Sequence, residues 1–316
     1  MRLRVTRALI IGLLVGALVW VGQTPPAVRT DWNAVWVGAR GVLHRVSPYA
    51  AVHSEIQAGR LTYPLYYPAT APVLLAPLGA LSLRLAISIF TGLGVGLLAH
   101  SFRESWRLWM LLSAPVVHAV LLGQWSPWLT AAVGLPWLGF VWAAKPSVGL
   151  ALFAGWPSRR AAVGAALLVL LSLIVVPGWI GEWREIIRGT PQYLAPIQRP
   201  GGFLLLLAFL RWRQPEARML GALALVPHTT VLHEMLYPLL IAKTRRQLAL
   251  LILLGYLAAC LVYTRTAYGP GGVPRMLAEQ WPYALVLCYL PTLALLLHPV
   301  LPPFLVRRWW SRPPLS

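Results

Sequence analysis

The sequence predicts an all-α, polytopic membrane protein, and three observations carry that prediction. Hydrophobic residues fill 58% of the 316 positions and charged residues only 11%, with a mean hydropathy of +0.67, well outside the composition of soluble globular domains. Apolar runs recur along the chain, separated by short polar stretches. The basic residues, 27 against 8 acidic, gather in compact clusters between those runs, which is how cytoplasmic loops are marked. A net charge of +19 could serve a nucleic acid, but this clustering is a membrane pattern, and no nucleic-acid partner is expected.

In chain order, Arg2, Arg4 and Arg7 precede the apolar residues 8–22, which reach about 22 Å as a helix. A signal peptide has this shape. The following GQTPPAV offers no small-residue cleavage site, however, so a retained first span with a cytoplasmic N-terminus is expected. Residues 23–84 then form a long first extracytoplasmic loop with internal structure. Asp31 can cap a helix whose Trp32, Val35, Trp36 and Ala39 share a face, and Ser47-Pro48-Tyr49 ends or redirects it. The apolar stretch 72–83 is too short to cross a bilayer and is expected to lie on the membrane surface.

Further apolar runs cover 85–100, 108–122, 129–144, 147–156, 161–177, 203–212, 219–226, 235–242, 248–262 and 282–300. Together they predict about 9–11 membrane segments, several too short to cross ~30 Å of hydrocarbon alone. Broken or re-entrant helices are tolerated only where protein or a wet cavity covers their backbone, so the short segments argue for a site within the membrane domain.

The basic clusters orient these segments. Arg103 and Arg107; Arg159 and Arg160; Arg211, Arg213 and Arg218; Lys243, Arg245 and Arg246; and Arg307, Arg308 and Arg312 can all be cytoplasmic with the N-terminus. This requires 129–144, interrupted at Pro136, to dip in and return, and the helix around Pro227 to break near the outer side. The opposite face then receives 23–84, the turn 123–126, Lys145, the loop 178–200, the stretch 228–234 and residues 265–281. Residues 1–316 read as a single membrane domain without internal repeats. Cys260 and Cys288 sit in apolar runs without metal or redox spacing and read as packing residues.

Asp31 is the only aspartate in the chain. On the outer face it is either a helix cap or a general base for an acceptor hydroxyl, and the two roles can coexist. Trp32 and Trp36 either stack on a sugar ring or belong to the interfacial aromatic belt. Lys145, one of two lysines, lies between apolar runs and needs an anion or a route to the surface; a phosphate headgroup suits it. The stretch VPHTTVLHEMLYPLL places His228, His233 and Glu234 in an otherwise apolar run, as phosphate or hydroxyl contacts or as a satisfied polar cluster at a helix break. The two histidines are not spaced like those of HExxH, and no metal is expected. Gln124, in the turn Gly123-Gln124-Trp125-Ser126, offers donors and an acceptor to a sugar or phosphate. Arg184, Arg188 and Arg199, with Trp183 and Tyr193, mark an amphipathic outer loop lying on the membrane surface. Walker A, dinucleotide, GxSxG and CxxC motifs are absent from the sequence, and no cofactor is expected.

The order of these pieces resembles the polyprenol-phosphate-mannose-dependent glycosyltransferases of the GT-C type, in particular glycosyltransferase family 87, which includes mycobacterial mannosyltransferases making glycolipids. The resemblance rests on TDW after the first span, RGVLHRVSPY, YYPATAPVLLAPLGAL, LLGQWSPWL, AAKPSVGLAL and PHTTVLHEM. It implies a GT-C-like fold with a long first outer loop, a polyprenyl-phosphate sugar donor, a lipid or glycan acceptor and inverting transfer. By the same resemblance Asp31 is the general base, and Lys145, His228 and His233 contact the donor phosphate. Trp32, Tyr49, Tyr67, Gln124 and Glu234 then line the substrate cavity. Two other classes use the same broken helices: a lipid or small-molecule transporter, which commonly shows two similar halves, and a non-catalytic membrane assembly subunit in which Asp31 only caps a helix.

Overall fold

The computed structural model describes residues 2–22, 31–189, 193–229, 232–265 and 272–298. Every regular element among them is helical. The basic cluster expected at Arg307, Arg308 and Arg312, and parts of the expected outer segments, lie outside the described residues.

Helix α1 (Arg2–Gly22) packs antiparallel on a partner reached only after the first loop. That loop contains α2 (Asp31–Leu43), α3 (Pro48–Gln57), α4 (Thr70–Leu74) and α5 (Ala76–Gly79), and leads into α6 (Leu83–Ser101). The contact between α1 and α6 is made backbone to backbone. A Cβ on Gly92 would lie 2.6 Å from the Gly12 carbonyl oxygen, and one on Gly96 would lie 3.0 Å from that of Ala8. This is the small-residue approach by which helices associate in lipid, where there is no hydrophobic drive between them.

In the first loop α2 buries Trp32, Ala34, Val35, Gly38, Ala39 and Gly41, which includes Trp32, Val35 and Ala39 of the expected face, while Trp36 is only partly buried. It ends at Leu43, and Pro48 opens α3 after Ser47. Residues 72–83 are not one continuous helix: they are divided among α4, α5 and the start of α6, with Pro72, Val73 and Gly79 buried, and Gly79 lets α5 approach the backbone of Ala39 and Arg40.

Beyond α6, a 3-10 helix (Ser105–Leu112) bends into α7 (Ala114–Leu122) at 57°. Next come α8 (Ser126–Gly134) and a 3-10 helix (Pro136–Ala144). These two arms fold back on each other: Trp142 Nε1 donates to the Leu129 carbonyl at 3.0 Å, and Gly134 rests against Ser101 at the far end of α6. The stretch expected at 129–144 thus forms a helical hairpin that breaks at Leu135–Pro136. Thr70 Oγ1 ties its end back to the first loop, donating to the Ala143 carbonyl at 2.7 Å.

Then follow α9 (Pro146–Gly155), α10 (Arg159–Val175), and α11 (Trp179–Arg188), which turns away from α10 by 102°. A 3-10 helix (Gly202–Arg211) precedes α12 (Pro215–Leu225); after a break come two 3-10 turns (Leu232–Leu236 and Pro238–Ile241) and α13 (Arg245–Arg265). The last span is α14 (Gly272–Tyr283), a π-helical turn (Ala284–Tyr289) and α15 (Leu290–Leu297).

Among the described residues four helices are long and apolar enough to cross a membrane, or six if each bent pair is one span. The expected 9–11 segments are reached only by counting short pieces such as Pro146–Gly155 and Gly202–Arg211, whose ten residues reach about 15 Å as α-helix.

The basic clusters are tied to one another. Arg107 Nη2 donates to the Ala242 carbonyl at 3.1 Å, Lys243 pairs with Glu216, and Arg218 donates to the carbonyls of Ala154 and Gly155 at 2.8 Å each. Four clusters therefore gather at the end of α6 marked by Ser101, away from the first loop.

Candidate functional site

Asp31 is the first residue of α2. The expected cap position falls inside the first turn, where the positive end of the helix dipole favours an anion. What faces the carboxyl is decided by Gly123, which closes α7 in the left-handed conformation at φ 63°. A side chain there would press on Ile87 at 2.9 Å and on Trp32 at 3.2 Å. Glycine lets the turn lie against α2, with the Gln124 N–H bonded to the Ala119 carbonyl at 2.9 Å.

The Gln124 side chain lies close enough to Asp31 to oppose the rise of its carboxyl, and its Oε1 accepts from Tyr67 Oη at 3.3 Å. An amide whose oxygen is so occupied presents its NH2 to the carboxylate. Tyr49 supports this from one layer out, donating to the Tyr67 carbonyl at 3.1 Å.

The return arm of the hairpin delivers Lys145 at the start of α9. Its Nζ pairs with Glu234, whose Oε1 also accepts from Thr229 Oγ1 at 2.7 Å. Both come from the break after α12, where Pro227 has no N–H to continue a helix. Lys145 and Glu234 are also within electrostatic reach of Asp31. Burial raises the Asp31 carboxyl above its ordinary range, the Lys145 charge and the Gln124 side chain oppose that, and Glu234 adds to it. Asp31 nevertheless keeps part of its surface accessible, as a reactive carboxylate in a recess must.

His228 and His233 flank the ion pair, each with Nε2 3.9 Å from a Glu234 oxygen. The His228 ring is committed. Nδ1 faces the Val226 carbonyl at 2.9 Å and so carries hydrogen, and in the neutral ring Nε2 accepts from Tyr289 Oη at 3.0 Å. Neither nitrogen is left for the phosphate contact expected of His228. His233 stacks on His118, with centroids 5.6 Å apart and planes 13° apart, and neither of its nitrogens has a hydrogen-bond partner.

Of the nine expected site residues, Asp31, Tyr67, Gln124, Lys145, His228, His233 and Glu234 come together in one polar cluster, with Tyr49 behind it. Trp32 does not present its ring to that cluster. It is 2% exposed and stacks on Phe90 with centroids 4.2 Å apart, which makes it a core residue.

Sequence reasoning missed several neighbours. Tyr66 and Tyr193 form an edge-to-face pair at 5.3 Å within the field of Asp31, and Trp183 Nε1 of α11 donates to the Tyr66 carbonyl at 2.9 Å. Tyr289 is 61 residues from His228 inside an apolar run, and no local pattern marks it. His118, a histidine in an apolar run, carried a signal of its own. Among the described residues no three His, Cys, Asp or Glu side chains are placed to hold a metal ion.

Comparisons with protein-family models, with curated proteins and with solved structures yield no match.

Proposed function

We propose that this chain is a membrane glycosyltransferase that moves a hexose, mannose by the family resemblance, from a polyprenyl phosphate to a lipid or glycan hydroxyl with inversion. The observation that supports this most is the convergence on Asp31. The chain's only aspartate is partly accessible and lies within reach of the Gln124 amide and the Lys145 charge, the lysine arriving at the end of a helical hairpin.

In this reading Asp31 takes the proton of the acceptor hydroxyl as its oxygen attacks the anomeric carbon. The new C–O bond forms on the face opposite the breaking C–O bond to phosphate, and the polyprenyl phosphate leaves with the bonding electron pair. Lys145 stabilises the charge gathering on the leaving phosphate, by electrostatics rather than proton transfer. The active site faces the extracytoplasmic side, with the tied basic clusters and the N-terminus in the cytoplasm.

The test is transfer from radiolabelled polyprenyl-phosphate hexoses in membranes carrying the full chain, with the labelled product identified. Wild type yields a labelled glycolipid or glycan. Asp31→Asn, present at equal abundance and with an unchanged melting temperature, loses about 100-fold or more of the rate. Full transfer by the Asn variant overturns the role of Asp31, and no transfer by wild type from any hexose donor overturns the function.

A further inference from the structure

We infer that Glu234 is a positioning residue: anchored by Thr229, it aims the Lys145 ammonium at the Asp31 recess and does not itself touch substrate. The inference rests on the transferase reading for its kinetic consequence, but its geometry stands alone. Glu234 is 0% exposed, whereas the Lys145 side chain keeps 14% of its surface open. The carboxylate is therefore the more deeply buried partner, and the ammonium lies within electrostatic reach of Asp31. Oε1 is occupied twice, by Lys145 and by Thr229 Oγ1. Oε2 is buried with no hydrogen-bond partner among the described residues, 3.9 Å from His228 Nε2.

The surrounding groups agree with an anchoring role. Leu232, His233, Met235 and Leu236 of the same 3-10 turn are all buried, which fixes the carboxylate from its own backbone. The titratable groups facing it are Lys145, His228 and His233 at direct or near contact, with Asp31, Tyr67, Tyr237 and Tyr289 in its field. Lys145 is the one cation among them in direct contact. A lysine on its four-carbon stem has many conformers and three donors. Engaging one donor on a buried, twice-anchored oxygen selects a conformer and leaves the others for an incoming phosphate.

The lysine content supplies a test that needs no activity. Lys145 and Lys243 are the only lysines, and Lys243 has its own partner in Glu216. The full chain in detergent is treated with an amine-reactive reagent, and the labelling rate of each lysine is followed by peptide mass spectrometry. Glu234→Gln is expected to speed labelling of Lys145 about tenfold, since the amine is no longer held against a buried carboxylate. Lys243 stays unchanged, and Thr229→Val has a smaller effect of the same sign.

In the transfer assay Glu234→Gln lowers kcat by about 100-fold through misplacement of Lys145, while KM for the polyprenyl-phosphate hexose moves by less than about threefold. The acid limb of its pH profile also moves down, because a charge that raised the Asp31 carboxyl is gone. An unchanged Lys145 labelling rate overturns the positioning role, as does a Glu234→Gln variant whose only kinetic defect is a raised KM, which marks a substrate contact. Absence of transfer in wild type overturns the proposed function, and the labelling result still decides the role of Glu234.

Discussion

Asp31 and Lys145 form a unit whose behaviour with pH follows from their charges. A general base works deprotonated, so activity is lost as pH falls through the value at which its carboxyl takes a proton. Burial has already raised that value for Asp31, and Lys145 opposes the rise. Lys145→Gln removes the opposing charge, so the acid limb of kcat/KM moves to higher pH, on top of a fall in rate from the lost phosphate contact. A limb at the wild-type position would separate Lys145 from the base. The sequence made Asp31, Lys145, Gln124 and Glu234 legible because each is a polar group in apolar surroundings, which is costly without a reason. Two things were not legible there. His228 is occupied on both nitrogens, because its partner Tyr289 arrives from a distant π-helical turn. Trp32 follows the side-chain direction of α2 into the core against Phe90, although a tryptophan beside a catalytic carboxylate suggests a stacking platform.

At the scale of elements, the contact between α1 and α6 is the most exposed to a single change. Its distances leave no room: a Cβ on Gly92 meets a backbone carbonyl at 2.6 Å and the Gly16 backbone at 3.2 Å. Backbone cannot rotate away as a flexible side chain can, so Gly92→Val must separate the helices. The expected cost is about 1–3 kcal/mol, as for an overpacked core, read as a lower melting temperature in detergent. Gly22→Ala at the end of α1, with nothing within 4 Å of its Cβ among the described residues, is the control and leaves melting unchanged. Equal melting of both variants would mean that the close approach does not hold α1. The glycines are visible in the sequence, but which glycine faces which depends on how the first loop returns the chain. The break of the 126–144 hairpin was legible from Pro136, which opens its second arm. The fate of residues 72–83 was not, since short apolar helices pack inward or lie on a surface with the same composition, and a tertiary contact at Gly79 decides.

For the molecule as a whole, charge clustering in the sequence anticipated which segments share an end. The structure joins three of the basic clusters through bonds between Arg107 and Ala242 and between Lys243 and Glu216, and Arg218 reaches the Ala154 carbonyl near a fourth, Arg159 and Arg160. The number of full spans was less legible, because apolar runs report burial and membrane crossing alike, and only four to six here have the length to cross. The two ends of the molecule are separated by α6, whose 19 residues rise about 28 Å. Ser54 on α3 and Ser105 just beyond α6 are both exposed, one beside the first loop and the other between Arg103 and Arg107. In a chain with Cys260 and Cys288 replaced by Ala, Ser54→Cys and Ser105→Cys are conservative reporters of these ends. If the basic end is cytoplasmic, a membrane-impermeant maleimide labels Ser54→Cys in intact cells and labels Ser105→Cys only after permeabilisation. Labelling of Ser105→Cys alone in intact cells would invert the chain and put Asp31 on the cytoplasmic side. A donor presented on the outer leaflet could not then reach Asp31, and the proposed reaction would fail on topology before any assay of transfer.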